Sequence, residues 1–351
     1  MAWQGIEGHD AIAARFAAAE ANGRIAGSYL FVGPPGVGKG TFALALAKSL
    51  ACERPAPGLI ACGGCASCVQ AAAGSHPDID VVRKPEDRST IPLELLIGDD
   101  EHRMREGLCW RILLRPALSK RKVAVILDAD HFSEEAANCL LMTLEEPPDG
   151  ATIILVGTAL ERQLPTIRSR CQVIRFAPLP SDAIRRILDG ETAGAGAGAE
   201  PATLDRAAAA AGGSLARARL ALDPDVTAFH GRLIELLATR PLRGVDIARE
   251  TLAFVEAAGK DAPPRRARLR TALEATLEVF RGAARRTAGA AGHHADRAAA
   301  VEAWAGQPDR VAAAAACTLD ALEAVDRNAN LGVLIDAWTA VLEEPRLART
   351  G

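Results

Sequence analysis

The sequence predicts an α/β fold built on a parallel sheet, followed by a small helical lid and an all-helical C-terminal part. Three observations predict it. Short apolar, strand-like runs alternate with helix-period segments through residue 180. A glycine-rich loop stands between the first of those runs and a helix. From Val226 onward the chain is rich in Ala, Leu and Arg, with helical periodicity and no strand signal.

The strand-like runs are 29–32, 79–82, 123–127, 152–156 and 173–176, with helix-period segments such as 41–50 and 134–144 between them. Pro178 and Pro180 end the last run, and Ser181 and Asp182 can cap a short helix at 183–188. The Gly/Ala stretch 190–199 reads as a low-complexity loop, and 204–222 as a second helical pattern that completes the lid. Asp223, Pro224 and Asp225 then break the chain. The expected domains are 1–178, the lid 179–223, and the helical domain 224–351.

The net charge of −3 gives no global nucleic-acid signal, because electrostatic DNA binders carry a strong basic excess. Within the helical part, residues 260–297 do carry nine Lys/Arg against four Asp/Glu. A solvated helix face is the plainer reading of that run; a phosphate or partner contact is the sharper one. No apolar run of about 18 residues exists, so no membrane span is expected, and the N-terminus lacks a signal-peptide pattern. A cytoplasmic location follows as the expectation. There the eight cysteines stay reduced, and clustered ones read as metal ligands.

The glycine-rich loop is Gly33, Pro34, Pro35, Gly36, Val37, Gly38 and Lys39. With a strand before it and a helix after it, such a loop turns backbone N–H groups inward around an anion, and the helix N-terminus adds partial positive charge. Lys39 is placed to reach the β- and γ-phosphates. The next residue should be Ser or Thr, whose hydroxyl ligates Mg²⁺. Here it is Gly40, and Thr41 comes one place late, about 100° further round the helix. ATP or ADP can still bind through Lys39 and the backbone, but Mg²⁺ loses its hydroxyl ligand.

A buried strand then ends in carboxylates, Asp128 and Asp130, within the run Asp128, Ala129, Asp130, His131. It is similar to a Walker B element, in which the first acid holds Mg²⁺ and a following Glu orients the attacking water. Asp128 fits the first role; Ala129 has no group for the second. If the strand persists, Asp130 faces the same side as Asp128 and is a poor replacement for the missing Glu. With two hydrolytic parts absent, turnover by this chain is not expected.

Cys52, Cys62, Cys65 and Cys68 follow the loop helix with the spacing C-x9-C-x2-C-x2-C. Four thiolates satisfy tetrahedral Zn²⁺ and leave no open position, so the site reads as structural zinc. An iron–sulfur reading requires a further Cys followed by Pro, where Ala72 and Ala73 stand. Unligated thiols are the remaining alternative. Cys109, Cys139, Cys171 and Cys317 are scattered and read as small core or near-surface residues.

Together these motifs resemble the AAA+ clamp-loader ATPases of bacterial replication. The resemblance rests on the approach to the loop from Arg24 to Gly33, the cysteine insertion, and His76-Pro77-Asp78. It rests also on the run from Asn138 to Pro147, similar to the family's "NALLKTLEEP", and on Ser169-Arg170-Cys171. It spans about residues 5–180. The family's Ser-Arg-Cys arginine acts in trans on the nucleotide of a neighbouring subunit, which implies that role for Arg170. A planar guanidinium suits the developing charge on γ-phosphate oxygens. Thr158 falls in the sensor-1 region. The segment from Gly213 to Ala216 is similar to the family's "GSLR", with Ala216 where active subunits place a sensor-2 arginine. The helical part matches weakly, through Asp326-Arg327-Asn328-Ala329-Asn330 and the helix after it, similar to the family's collar helices.

The resemblance implies a non-hydrolysing stator subunit of a ring-shaped loader, with broken chemistry in cis and a trans arginine. Its implied partners are other loader subunits, the sliding clamp and, through the assembly, primer–template DNA. The alternative is the active motor ATPase subunit of the same loader, which requires Ser or Thr at 40 and Glu at 129. A stand-alone zinc-dependent DNA-binding adaptor is disfavoured by the acidic balance and the lack of a recognition-helix motif.

Overall fold

A computed structural model describes residues 2–99, 101–102, 105–194, 200–290 and 297–343. The chain divides into two compact units, Met1–Leu222 and Asp223–Gly351.

The first unit begins with α1 (Asp10–Ala21), β1 (Ser28–Val32), α2 (Lys39–Ala51), α3 (Ala66–Ala72) and β2 (Ile79–Val82). It continues with α4 (Glu94–Ile97), α5 (Gly107–Leu113), β3 (Lys122–Ile126), α6 (Glu134–Glu145) and β4 (Ala151–Val156). Then come α7 (Pro165–Arg168), β5 (Gln172–Arg175), α8 (Ser181–Gly194), α9 (Pro201–Ala210) and α10 (Leu215–Leu220). The five strands form one parallel sheet in the order β2-β3-β4-β1-β5.

Strands β1, β3 and β4 are buried along their whole length, which is why they read as unbroken apolar runs rather than alternating ones. Alternate side chains go to opposite faces. Tyr29, Phe31, Val123, Val125 and Ile154 pack with Phe16 of α1, Phe42 and Leu46 of α2, and Ile184, Leu204 and Ala218 of the lid helices. Leu30, Val32, Ala124, Ile126, Ile153 and Leu155 pack on the other side with Leu96, Ile112 and Leu140 of α4, α5 and α6. The parallel α/β sheet expected from the alternation of strand and helix signals is therefore the fold observed. Because all strands run the same way, the segments after β1, β3 and β4 emerge at one edge, where ligands of open α/β sheets bind.

Three local expectations need correction. Helix α8 runs to Gly194 and so takes in part of the Gly/Ala stretch 190–199, whose residues 195–199 lie outside the described residues. Ala and Glu are good helix formers, and they carry the helix past Gly190. The pattern 204–222 is two helices, α9 and α10, separated at Gly212 and Gly213, which both have positive φ that a helix cannot accommodate. Strand β3 stops at Ile126, and Ala129–His131 form a short 3-10 turn, so strand alternation does not govern Asp130.

The second unit contains α11 (Pro224–Ala238), α12 (Gly244–Glu256), α13 (Ala262–Thr287), α14 (Ala298–Trp304), α15 (Pro308–Asp326) and α16 (Leu331–Glu343). Its core is built on Phe229, Phe280, Trp304 and Trp338. Much of the basic stretch 260–297 lies on α13. Arg265, Arg268, Arg270 and Arg286 pair with Glu256, Asp225, Asp326 and Glu302, while Arg281 and Arg297 share Glu278. Carboxylates of the same unit thus pair with these arginines; residues 291–296 lie outside the described residues. Among the described residues no helix is long and apolar enough to cross a membrane.

Candidate nucleotide and metal sites

The phosphate-type loop leaves the end of β1 and is tied at its base by the Gly33 N–H, which donates to Thr158 O at 3.1 Å. Gly33 has φ +152°, and a Cβ there would overlap the carbonyl oxygen of Phe176. The crown of the loop packs on the lid: Leu215 N–H donates to Gly36 O at 2.9 Å, and a Cβ on Gly36 would strike Ser214 Oγ and Ala216. His9 Nε2 lies 2.7 Å from Val37 O, with its ring edge-on to Phe176. Gly38, in the left-handed region, opens α2.

Lys39 is only 6% exposed, and its Nζ donates to Gly33 O and Pro34 O at 2.6 Å each. The ammonium is folded back on the loop's own carbonyls, so an incoming phosphate must exchange these bonds for its own. Burial pushes the Lys39 pKa down, and the charge of Asp130 opposes the shift. At position 40 a Cβ would stand 3.3 Å from Leu127 Cδ2, so the first-turn position that carries the metal-binding hydroxyl in active loops faces a leucine methyl. Thr41 is exposed.

The acidic segment is arranged differently from a continued strand. Asp128 is exposed, in the left-handed region at φ 60°. Asp130 is half-buried and accepts from Thr158 N at 2.8 Å, Thr158 Oγ1 at 2.6 Å and Gln163 Nε2 at 2.5 Å. The sensor-region threonine therefore binds a carboxylate of its own chain. Ala129, between the two acids, is buried.

Arg170 follows α7. Its Nε donates to Glu145 at the end of α6 at 2.5 Å, and its Nη2 is in ion-pair contact with the same carboxylate oxygen. Its Nη1 donates to Thr166 O at 2.9 Å and Ser169 Oγ at 3.2 Å. The guanidinium is partly exposed.

The sulfur atoms of Cys52, Cys62, Cys65 and Cys68 all lie within 4.8 Å of one another. Cys52 and Cys65 are 3.9 Å apart, and Cys62 and Cys68 4.0 Å. Four thiolates at about 2.3 Å from a tetrahedral Zn²⁺ have edges of roughly 3.8 Å, so this donor set fits a metal ion. Cys62 N–H points at Cys52 Sγ, and Cys68 N–H at Cys65 Sγ. Backbone N–H groups of Gly64 and Cys65 draw the Cys62 thiol down to about 6, whereas burial pushes Cys68 up to about 12. Cys109 and Cys171 are buried, and burial raises both thiols, to about 11 and about 12.

The cysteine module is anchored to the sheet through Ser67. Ser67 Oγ donates to Ala51 O at 2.6 Å, which leaves it to accept from His76 Nε2 at 2.6 Å. His76 Nδ1 accepts from Asp78 N, so the ring is neutral with its proton on Nε2, and burial lowers its pKa. Asp78, fully buried, accepts from the N–H groups of Ala117, Leu118 and Ser119 and lies 3.8 Å from Lys122 Nζ.

The structure thus brings Gly33, Pro34, Gly36, Val37 and Gly38 into one loop with Lys39 and Gly40 in the first turn of α2, and the four cysteines into one cluster. Sequence reasoning missed Leu127 over Gly40, Gln163 and Thr158 on Asp130, and His9 on the loop. Only Thr158 had a sequence signal, its place after β4; the other contacts depend on side-chain packing.

The family described as "DNA polymerase III, delta subunit" matches residues 8–180. DNA polymerase III subunit delta' of Pseudomonas aeruginosa is 36% identical over 156 residues, 44% of each chain. That of Bacillus subtilis is 35% identical over 161 residues, 46% of this chain and 45% of the relative. DNA polymerase III subunit gamma/tau of Mycobacterium tuberculosis is 31% identical over 260 residues, 72% of this chain but 43% of the relative. The chain therefore spans less than half the length of each of these relatives. Over the matched region, which carries the loop, the cysteine cluster and Arg170, the chain matches the DNA polymerase III delta family and is delta-prime-like.

Proposed function

We propose that this chain is the delta-prime, or stator, subunit of the sliding-clamp loader of DNA polymerase III. In this reading it joins gamma/tau-type and delta-type subunits in a hetero-pentamer and helps place the clamp on primed DNA. The supporting observation is the state of its own nucleotide site. Lys39 is spent on the carbonyls of Gly33 and Pro34, Leu127 faces Gly40, Ala129 offers no base, and Ala216 offers no cation. Hydrolysis needs a metal held beside the γ-phosphate and a positioned water; this chain offers Asp128 without its hydroxyl partner for the first, and no residue for the second. ATP or ADP enters by displacing the Lys39 contacts, and Asp128 is left without a hydroxyl at position 40 to share the metal.

Arg170 is the group we assign to the assembly's chemistry. A guanidinium presented to a neighbour's γ-phosphate stabilises transition-state charge and is worth about 10³–10⁵ in turnover. The zinc module (about residues 52–68) is structural in this reading: the four thiolates would hold Zn²⁺ with no open position for a substrate. The helical unit serves as the collar that joins subunits, and the protein works in the cytoplasm.

The active motor subunit is the competing reading, favoured by the gamma/tau similarity over more of the chain. ATP turnover by the purified chain separates the two. A stator gives only background release of phosphate with Mg²⁺ present and co-purifies with gamma/tau-type and delta-type subunits. Robust Mg²⁺-dependent turnover by the isolated chain contradicts the proposal.

A further inference from the structure

Glu145 ends α6, at the "LEEP" segment that the resemblance singled out without giving it work to do. A carboxylate in the last turn of a helix opposes the macrodipole. No basic residue in that turn of α6 compensates, and Glu146 follows at the cap. Glu145 is therefore placed against the preference of its own helix. Its partner is Arg170, 25 residues away in sequence.

Counting donors shows what the contact does. A guanidinium has five N–H groups in a rigid plane. Three are hydrogen-bonded here, Nε to Glu145 and the two on Nη1 to Thr166 O and Ser169 Oγ, while Nη2 is in ion-pair contact with the same Glu145 oxygen. The two kinds of bond differ in strength. Charge-assisted bonds are roughly twice as strong as neutral ones. Thr166 O and Ser169 Oγ are neutral acceptors, at 2.9 and 3.2 Å, and are the ones an oxyanion can replace. Glu145 grips the Nε/Nη2 edge and leaves the Nη1/Nη2 edge as the exchangeable end.

We propose that Glu145 is a positioning residue for Arg170: it fixes the guanidinium plane so that the Nη1/Nη2 edge is the one offered to the γ-phosphate of a neighbouring subunit. This rests on the trans role of Arg170 argued above. Without Glu145 the arginine must give up side-chain freedom when it engages phosphate, a cost that otherwise is met on folding. The pair is partly exposed, at 29% and 48%, so its effect is modest beside that of the arginine itself.

The test uses the full chain in a reconstituted loader with ATPase-competent gamma/tau-type subunits, clamp and primed DNA, with turnover measured against ATP concentration. Glu145→Ala should lower kcat about fivefold and leave KM within about twofold. Glu145→Gln, which still accepts an N–H bond, should recover most of the loss. Adding Glu145→Ala to Arg170→Ala should lower turnover no further. Unchanged kcat in Glu145→Ala, where Arg170→Ala is defective, overturns the proposal. So does a Glu145→Ala defect that persists in the Arg170→Ala background, or one that falls on KM alone. Full activity of Arg170→Ala contradicts instead the trans-arginine reading beneath it.

Discussion

Leu127 stands over Gly40: a Cβ at position 40 would lie 3.3 Å from the leucine Cδ2. The residue that ends the apolar strand run and the residue that lacks a hydroxyl are thus packing partners. Restoring the hydroxyl alone should not restore chemistry. We expect Gly40→Thr to show no Mg²⁺-dependent turnover in the isolated chain, because the hydroxyl meets a methyl and Ala129 still cannot orient water. Its melting temperature should stay within a few degrees of the parent's, since a helix gains about 0.5 kcal/mol on losing glycine and the leucine terminus has to shift only slightly. A phosphate-release assay on the variant checks this, and turnover well above background contradicts it.

The cysteine cluster should carry one zinc ion per chain by elemental analysis. Cys68→Ser, at a fully buried ligand, should lose the metal and lower the melting temperature, with strong chelators doing the same to the parent. Because the sheet has its own core on both faces, we expect the module to loosen while the rest of the first unit stays folded. A metal-free protein that is indifferent to Cys68→Ser would remove the structural-zinc assignment.

Asp78 makes a pH prediction with a defined sign. Burial by itself would raise its pKa, but hydrogen bonds from Ala117, Ser119 and Leu118 and from the Ser119 hydroxyl outweigh it and hold the carboxyl below the ordinary range. A carboxyl depressed in the folded state stabilises the protein above its unfolded value of about 3.9, and the contribution is lost as pH falls through the folded value. Denaturant titrations should therefore show stability falling below about pH 4. In Asp78→Asn that component should vanish, and stability at neutral pH should drop by roughly 2–4 kcal/mol, because an amide cannot accept the same set of N–H bonds beside Lys122. Equal acid sensitivity of parent and variant would show that Asp78 is not its source.

Much of this was legible in the residues, and the rest was not for physical reasons. Strands β1, β3 and β4 were readable because buried parallel strands leave continuous apolar runs, β2 and β5 as short partly buried runs rich in Val and Ile, and the loop because its glycines answer backbone demands. The four cysteines converge as their spacing implies. Asp130 was misplaced because β3 stops at Ile126, and the 3-10 turn that follows has no signature separate from the strand run. The helix through Gly190 and the break at Gly212 and Gly213 show the same limit: glycine punctuates a helix only where φ turns positive. Neither Leu127 over Gly40 nor Glu145 on Arg170 leaves any trace in spacing, because both depend on how separate elements pack.

In the proposed assembly Arg170 serves a nucleotide that this chain does not hold. The direct measurement is ATP turnover of the reconstituted loader, with clamp and primed DNA, in which only Arg170→Ala differs. We expect assembly to be intact and turnover at the neighbouring site to fall by about 10³-fold. Turnover equal to that of the parent assembly would contradict the central claim.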